Sequence, residues 1–328
     1  MRDDTQPILP GSTIGILGSG QLGRMLALAA REMGYRVHVY SPGTDTPAGH
    51  IADREMTGSY EDAAKIREFA QAVDVVTFEF ENVPSTASET AAEVTLVRPA
   101  GAVLHITQQR LREKNFLRDN GFPVAGFVAI NSLADLEKAA DSLGIPAVLK
   151  TASFGYDGKG QQKVMPEDSL ETVFANLGGA EGIYEEFVDF EKEVSVVAAR
   201  NAAGEFAAFP VFENSHANRV LDVTFAPADI SSDLAAEASR LAGSIFDCLE
   251  VIGVMAVEMF VTRDGKLLVN EIAPRTHNSG HLTIDACVTS QFELQVRAIC
   301  GLPLGSTELM APAAMANLLG DVWSGGEP

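Results

Sequence analysis

Short apolar runs alternate with amphipathic segments over the first hundred residues. The apolar runs have the length of buried strands and the segments between them a helical repeat: strands at STIGILG (12–18), YRVHVYSP (35–42), VDVVTFEF (73–80) and VTLVRP (94–99), helices at 21–34, 61–72 and 85–93. Strands that alternate with helices of roughly 10–15 residues are typical of a parallel sheet. The sequence therefore predicts an α/β domain over residues 1–105.

Two further units follow, in which strands and helices alternate less regularly. After a connector at 99–105, residues 106–189 contain a basic helix at 107–120, strand patterns at FPVAGFVAI, PAVLK, QQKVM and GIYEEFV, and helices at 132–143 and 166–176. Residues 190–328 contain strand patterns at EKEVSVVAAR, EFAAFPVFEN, VIGVMAVEMFV and KLLVNEIAP and a helix near 232–249. This order predicts two α+β domains, 106–189 and 190–328.

The composition is that of a packed soluble protein. Apolar residues make up 46% of the chain, and 45 acidic against 24 basic residues give a net charge of −21. An acidic surface of this kind disfavours nucleic acid as a partner. The sequence has no signal-peptide pattern, no apolar run near the roughly 20 residues that span a bilayer, and no CxxC pair among its three cysteines. We therefore expect a cytoplasmic protein with neither nucleic acid nor a membrane as a partner.

A G-x-G-x-x-G motif at Gly18, Gly20 and Gly23 follows the first strand and opens the first helix. This context is that of a dinucleotide fingerprint, whose glycines leave backbone N–H groups free for phosphate at the helix N-terminus. The acidic residue that should end the second strand and hold the ribose is missing, because that strand ends at Tyr40-Ser41-Pro42. Nicotinamide binding is therefore disfavoured, and a close strand–helix turn without a ligand is the alternative.

Two carboxylates in the segment VMAVEMFVTRDGKLLVNEIAP are predicted to lie on one face of a hairpin. If Asp264-Gly265 forms a two-residue turn, Arg263 pairs with Lys266 and Glu258 lies opposite Glu271. A four-residue loop makes the two acids diagonal neighbours on the same face, and only a loop of odd length separates them. Like charges placed opposite each other among apolar residues are destabilising, and a divalent cation relieves that cost. We therefore expect Glu258 and Glu271 to bind Mg²⁺, the alternative being a solvent-facing strand pair beside Lys266.

A glycine-rich loop follows the strand that ends at Lys150. The stretch KTASFGYDGKGQ (150–161) is not a P-loop, because it leads into the strand QQKVM instead of a helix. A glycine loop between two strands folds over phosphates as a flap, and Lys150 reaches a phosphate as a point charge. With the two predicted metal ligands, this pattern indicates a protein that binds ATP and is neither a kinase nor a P-loop protein.

The sequence resembles the ATP-grasp superfamily and, within it, the family of 5-(carboxyamino)imidazole ribonucleotide synthetases. The resemblance rests on ILGSGQLGRML, TFEFENVP, GYDGKGQ, YEEFVDFEKEVSVVAAR, GVMAVEMF, NEIAPRTHNSGHLTIDAC and SQFELQVRAICGLPLG, which span residues 14–320. It implies an ATP-grasp fold of mixed α/β and α+β class. The implied parts are an N-terminal parallel-sheet (pre-ATP-grasp) domain, a small lid domain and a central domain.

The resemblance also implies where ATP and metal bind. ATP would lie between the lid and central domains, in contact with Arg110, Lys150, Gly155, Tyr156, Asp157, Gly158, Lys159, Gly160, Gln161, Glu185, Glu186, Phe187, Val188, Glu193, His216, Asn270 and Glu271. The segment from Glu185 to Val188 would bind adenine, and Glu193 the ribose hydroxyls. Glu258 and Glu271 would bind Mg²⁺, for which Mn²⁺ is a possible substitute.

The implied reaction is the ATP-dependent carboxylation of aminoimidazole ribonucleotide by bicarbonate, through carboxyphosphate. Catalytic roles fall to Asp157, Arg275 and His277, and substrate contacts to Gly20, Gln21, Leu22, Glu79, Asn82, Tyr156, Arg275, Asn278 and Ser279. The resemblance further implies a cytoplasmic homodimer whose ligands are small molecules.

Two departures from the family pattern stand out. Phe154 replaces the usual glycine before GYDG, which we expect to stiffen the lid. The family continues beyond the position of Pro328 with a Lys/Arg-rich segment that helps to bind the substrate phosphate, so we expect either a truncated chain or a shortened C-terminal extension that lacks those contacts.

Three other functions are left as alternatives. The first is another ATP-grasp ligase, of the formate-dependent glycinamide ribonucleotide transformylase or biotin carboxylase type. The second is a MgATP-binding protein without catalysis. The third is a nicotinamide oxidoreductase, which rests on Gly18–Gly23 alone.

Overall fold

A computed structural model describes residues 6–153 and 160–320 of the chain. Within these ranges the chain forms a five-stranded, a four-stranded and a seven-stranded β-sheet. Serines begin several of the helices: the hydroxyls of Ser132, Ser169, Ser231 and Ser290 each accept a hydrogen bond from a backbone N–H in the first turn of the helix that follows. No helix in the described ranges is long and apolar enough to cross a membrane.

The N-terminal domain is built on the predicted parallel sheet, which the strand pairing confirms. Its strands run in the order β3-β2-β1-β4-β5. They are β1 (Thr13–Leu17), β2 (Arg36–Ser41), β3 (Arg54–Thr57), β4 (Val75–Phe78) and β5 (Leu96–Val97), with helices α1 (Gln21–Glu32), α2 (Ala63–Gln71) and α3 (Ser85–Ala92). Loops after the carboxyl ends of β1 and β4 therefore meet at one edge of this sheet.

Two helices lead from this domain to the next. The predicted connector at 99–105 is mostly helical, because residues 101–105 lie in helix α4 (Gly101–Thr107), and α5 (Arg110–Asp119) begins after two further residues. The four-stranded sheet, here called the lid sheet, has the order β6-β9-β7-β8 and is antiparallel. It consists of β6 (Phe127–Ile130), β7 (Ala147–Thr151), β8 (Gln161–Val164) and β9 (Gly182–Glu186), with α6 (Leu133–Leu143) and α7 (Leu170–Ala175).

The seven-stranded sheet, here called the central sheet, has the order β15-β14-β10-β12-β13-β16, with β11 paired to β10. Its strands are β10 (Phe190–Arg200), β11 (Phe206–Ala208), β12 (Phe212–Ala217), β13 (Val220–Ala226), β14 (Gly253–Thr262), β15 (Leu267–Ala273) and β16 (Ala313–Ala316). Its helices are α8 (Ser232–Leu249), α9 (Thr283–Ala286) and α10 (Gln291–Ile299), and a short 3-10 turn covers Asn278–Gly280. Side chains of α8 such as Ile245 and Phe246 pack on one face, and Leu294 and Ala298 of α10 on the other.

Candidate active site

A cleft of about 800 Å³ runs between the lid sheet and the central sheet and reaches the loop after β4. It brings together many of the residues that the sequence predicts for the site. Those that line it are Asn82, Arg110, Lys150, Gln161, Phe187, Glu193, His216, Glu258, Asn270, Glu271, Arg275, His277 and Asn278. The cleft is large enough for a nucleotide and a second small molecule.

Glu258 and Glu271 lie directly opposite each other on β14 and β15, but not by the route that the sequence predicts. The turn is not a two-residue loop: Thr262, not Arg263, pairs with Lys266, and Gly265 takes a positive φ of 77°. This three-residue loop alone would separate the acids. A β-bulge between the pairs Met259–Val269 and Glu258–Glu271 makes Asn270 the extra residue and returns both carboxylates to one face.

The two carboxylates have different surroundings. His277 Nε2 lies 3.0 Å from Glu258 Oε1, and although burial works against ionisation, this hydrogen bond and the nearby basic groups hold the pKa of Glu258 below its ordinary value. Glu271 opens onto the cleft and has protein on its other sides, so that burial and the charge of Glu258 raise its pKa. Lys266 does not offset the charge of the two carboxylates, because its ammonium pairs with Asp264 at 2.6 Å.

The donor set of this pair fits a hard divalent cation. Oxygen ligands on two carboxylates suit Mg²⁺, which usually takes its remaining ligands from substrate phosphates and water. In residues 6–153 and 160–320, no three His, Cys, Asp or Glu side chains are grouped so as to hold a metal by themselves. The raised pKa of Glu271 also reflects a site in which negative charge is concentrated. Glu258 and Glu271 are therefore suited to hold a cation that phosphate oxygens share.

Arg275 is fixed by an acid that the sequence analysis missed. Its guanidinium Nε donates to Glu81 in the loop after β4, and its Nη1 donates to the Thr276 carbonyl at 2.9 Å. Burial opposes the charge of both side chains, yet their contact raises the pKa of Arg275 and lowers the pKa of Glu81. Glu81 lies within the motif TFEFENVP, two residues after Glu79, so the motif located the loop but not the acid that faces Arg275.

Lys150 lines the cleft while its ammonium is held by Glu185. Lys150 Nζ lies 2.6 Å from Glu185 Oε2, and the buried Lys114 Nζ lies 3.9 Å from Glu185 Oε1. Burial alone would raise the pKa of Glu185, but these two ammonium groups lower it to about 2. Arg110 is also held near this strand, since its Nη1 donates to the Thr151 carbonyl at 2.6 Å. Two cationic groups thus lie at the end of β7.

The opposite wall of the cleft carries acid–base pairs and aromatic rings. The predicted ATP-binding residues Glu193 and His216 contact each other, and although burial works against it, Glu193 raises the pKa of His216. The rings of Phe190 and Phe260 stack with centroids 4.6 Å apart, and both line the cleft. Stacked rings give this end an apolar surface of the kind on which a planar base packs.

Backbone N–H groups of the N-terminal glycine loop are hydrogen-bonded to a side chain of the same domain. Glu79 accepts hydrogen bonds from the backbone N–H groups of Gly20 at 2.8 Å and Gly23 at 3.0 Å. A Cβ atom at Gly18, whose φ is 105°, would lie 2.6 Å from this carboxylate. The expectation of free N–H groups for phosphate at Gly20 and Gly23 is therefore wrong, while the contact of Glu79 with substrate remains a prediction.

Several other predicted residues do not line the cleft themselves, although Glu185 contacts the cleft-lining Lys150. Gly20, Gln21, Leu22, Glu185, Glu186 and Val188 are not among its lining residues. Ser279 is fully buried and bonded to His277, so its predicted contact with substrate is corrected here to a contact with another site residue. Phe154, Gly155, Tyr156, Asp157, Gly158 and Lys159 lie outside the described residues.

Two family models match the chain. A ribonucleotide synthetase preATP-grasp domain matches residues 11–108, and an ATP-grasp domain matches residues 115–292. The predicted ATP-grasp fold with an N-terminal parallel-sheet domain is therefore confirmed.

Two proteins that are similar to the chain share one name. The N5-carboxyaminoimidazole ribonucleotide synthase of Bacillus subtilis (strain 168) is 45% identical over 316 residues, which cover 96% of this chain and 83% of that protein. The synthase of Brucella melitensis biotype 1 is 44% identical over 320 residues, which cover 97% of this chain and 88% of that protein.

Solved structures show the same likeness. The crystal structure of an ADP complex of N5-carboxyaminoimidazole ribonucleotide synthetase has a TM-score of 0.94 at 46% identity, covering 96% of this chain and 84% of that one. The enzyme from Aspergillus clavatus in complex with ADP and 5-aminoimidazole ribonucleotide has a TM-score of 0.87 at 32% identity, covering 93% and 81%. The similarity therefore extends over both family-model regions, which contain most of the residues that line the cleft.

Proposed function

The chain belongs to the N5-carboxyaminoimidazole ribonucleotide synthetase family of ATP-grasp ligases, and from this premise we propose that it carboxylates 5-aminoimidazole ribonucleotide. The reaction uses ATP and bicarbonate, forms a C–N bond at the exocyclic amine, and yields N5-carboxyaminoimidazole ribonucleotide for purine biosynthesis. The observation that best supports this function is that Glu258 and Glu271 lie opposite each other in one cleft with Lys150, Arg275 and His277.

Two chemical steps make up the reaction. An oxygen of bicarbonate attacks the γ-phosphorus of ATP, which forms carboxyphosphate and releases ADP. The exocyclic amine of the ribonucleotide then attacks the carboxyl carbon, and phosphate leaves as the new C–N bond forms and the amine loses a proton. Since both steps develop or transfer negative charge on phosphate oxygens, catalysis depends on positioning and on fixed positive charge.

Several side chains of the cleft have roles in this reaction that their positions support. Lys150 and Arg110 bind the ATP phosphates from the lid side, and Phe190 and Phe260 pack against the base. Glu258 and Glu271 hold Mg²⁺ or Mn²⁺, which when bound neutralises phosphate charge. Arg275, positioned by Glu81, holds bicarbonate or the ribonucleotide phosphate. Asn82, in the same loop as Glu81, faces the cleft from the N-terminal domain and contacts the ribonucleotide.

Two properties of the whole protein belong to the same proposal. The family resemblance supports a homodimer, which light scattering of the purified protein tests directly. The family's biosynthetic reaction supports a cytoplasmic location. Detection of the protein in a cytosolic fraction of its host tests this second point.

The first experiment measures phosphate release from MgATP with bicarbonate, with and without 5-aminoimidazole ribonucleotide. Stimulation by the ribonucleotide together with formation of the carboxylated product is the expected result. Formate in place of bicarbonate distinguishes a formate-dependent ligase, and biotin in place of the ribonucleotide distinguishes a biotin carboxylase. Bound MgATP without stimulation by any of these acceptors would leave a nucleotide-binding protein and refute the proposal.

A further inference from the structure

A chain of uncharged polar side chains crosses the central sheet beneath the cleft and ends on His277. Thr224 Oγ1 lies 3.2 Å from Asn214 Oδ1, and Asn214 Nδ2 lies 2.9 Å from Ser195 Oγ. Ser195 Oγ lies 2.9 Å from Ser279 Oγ, which in turn lies 2.9 Å from His277 Nδ1. Thr224, Ser195 and Ser279 are fully buried. Buried polar groups of this kind are costly unless each is satisfied, so the chain is a built feature of the sheet.

The direction of the hydrogen bonds is fixed from the His277 end. The backbone N–H of Ser279 points at His277 Nδ1 at 3.3 Å, and a backbone N–H can only donate. Nδ1 is therefore an acceptor, and the Ser279 hydroxyl at 2.9 Å donates to it as well. The Ser279 oxygen then accepts from the Ser195 hydroxyl, and the Ser195 oxygen accepts from the Asn214 amide. Every donor in the chain points towards the imidazole.

An imidazole that accepts at Nδ1 carries its proton at Nε2. Nε2 of His277 lies 3.0 Å from Oε1 of Glu258, so the ring donates to one of the two proposed metal ligands. Ser195 and Glu258 are also direct partners across β10 and β14, so a middle member of the hydrogen-bond chain and the carboxylate at its end lie on one face of the sheet.

The backbone of His277 is held separately. The carboxamide of Gln291, at the start of α10, accepts from the His277 N–H at 2.8 Å and donates to the His277 carbonyl at 2.7 Å. Gln291 is fully buried, and a Cβ atom at Gly280 would collide with its side-chain oxygen, which explains a glycine there. Backbone position and ring orientation of His277 are thus set by different residues.

We infer that His277 serves the reaction as a hydrogen-bond donor to Glu258, and that Asn214, Ser195 and Ser279 are positioning residues that fix the tautomer required for this. The inference rests on the proposed function, in which Glu258 holds the cation. Partners of metal ligands commonly orient the ligand and contribute ten- to hundredfold to affinity or rate. With its proton directed at Glu258, His277 fixes the plane of that carboxylate.

The test combines a spectroscopic and a kinetic measurement on the 328-residue protein. Histidine nitrogen NMR in mildly alkaline buffer, assigned by the loss of signals in His277→Asn, reports which ring nitrogen carries the proton. We expect the wild-type protein to have a protonated Nε2 and an unprotonated Nδ1. Ser279→Ala and Ser195→Ala keep the backbone N–H of Ser279 but remove hydroxyl donors, so they should shift the nitrogen signals of His277 and lower kcat roughly ten- to hundredfold, with KM for ATP unchanged.

Ser88→Ala is the matched control, because Ser88 is also fully buried but belongs to α3 and not to this chain. A wild-type ring protonated at Nδ1 would overturn the inference. So would Ser279→Ala and Ser195→Ala proteins whose spectra and kcat match those of Ser88→Ala. Should one serine variant fail to fold, the other still decides. Loss of ribonucleotide-dependent turnover in the wild-type protein would refute the proposed function while the NMR result still reports the tautomer.

Discussion

Glu258 and Glu271 lie directly opposite each other on neighbouring strands, and their pKa values are displaced in opposite directions. The contact with His277 lowers the pKa of Glu258, while burial and the charge of Glu258 raise the pKa of Glu271, whose carboxylate opens onto the cleft. A pair arranged in this way is destabilising in the free protein. It becomes favourable when a cation and phosphate oxygens occupy the cleft, so the strain is relieved by the ligand.

Glu271→Gln is expected to affect activity and stability in opposite directions. Turnover of MgATP should fall by more than roughly a hundredfold, since even an outer partner of a metal ligand contributes ten- to hundredfold. Without metal, the free energy of unfolding should rise by about 1 kcal/mol, because a like-charge contact disappears. Phosphate release and urea unfolding in chelator measure the two effects. Near-normal turnover would contradict the metal assignment, and the exposed Glu237→Gln serves as the control.

The sequence predicts the correct pairing of Glu258 with Glu271 in this hairpin, but it predicts the wrong turn. The turn was predicted from Asp264-Gly265 as two residues, but the positive φ of Gly265 closes a three-residue loop. A loop of odd length should separate the acids, and the bulge at Asn270 cancels that shift. A bulge has no reliable pattern in a single sequence, because the extra residue differs from its neighbours only by its backbone.

Elements that escaped prediction lacked the usual local signals. Helix α4 follows Ala100, whose side chain makes no cap hydrogen bond, and its apolar residues read as a connector. Strand β13 follows a turn at Asn218 and Arg219, both with positive φ, where glycine would have marked a hairpin. Strand β3 has only four residues, REMT. The long, strongly patterned elements of the N-terminal domain, by contrast, were predicted within a few residues.

The site residues also divide into those that the sequence predicts and those that it misses. Residues predicted from their own chemistry, such as Lys150, Glu258 and Arg275, line the cleft as predicted. Glu81, Ser195 and Gln291 act on other site residues through long-range contacts, and no spacing along the chain indicates such partners. The chemistry of the site could therefore be predicted from sequence, but the side chains that hold it in place could not.

Lys150→Ala should mainly weaken ATP binding. The change removes a charged donor at the end of β7, and hydrogen bonds to charged groups contribute about 1.5–3 kcal/mol, or roughly ten- to hundredfold in Kd. Isothermal titration with MgATP measures the effect. Lys163→Ala is the matched control, because Lys163 also lines the cleft but lies over the ring of Phe187. Equal affinity in the Lys150 variant and the wild type would count against a phosphate contact.

Glu81→Gln should lower kcat/KM for the ribonucleotide roughly tenfold, with ATP affinity unchanged. The amide keeps an acceptor for Arg275 but loses the charge, so the guanidinium is held less firmly. Steady-state kinetics with each substrate varied in turn separates the two effects. Glu93→Gln, which breaks the exposed pair with Arg67, is the control. A loss of ATP affinity equal to the loss for the ribonucleotide would show that Arg275 does not act on the ribonucleotide or bicarbonate alone.

The raised pKa of Glu113 predicts that the stability of the protein depends on pH in a specific way. It lies buried in α5, where Ile272 N–H donates to it at 3.3 Å, and burial together with the charge of Glu271 raises its pKa from 4.5 to about 8. Between these two values the folded protein binds more protons at this position than the unfolded chain does. The contribution to stability is therefore fully present below about 4.5 and is lost as pH rises through about 8.

Glu113→Gln isolates this contribution, because glutamine keeps an oxygen that accepts from Ile272 and does not titrate. One pKa unit corresponds to about 1.4 kcal/mol, so the wild type should lose at most about 5 kcal/mol relative to the variant across the window. Urea unfolding of both proteins in metal-free buffer measures the difference. A difference that stays constant with pH would show that Glu113 ionises normally. A wild type that gains stability relative to the variant as pH rises would show a lowered pKa, and with it a cationic partner stronger than Glu271.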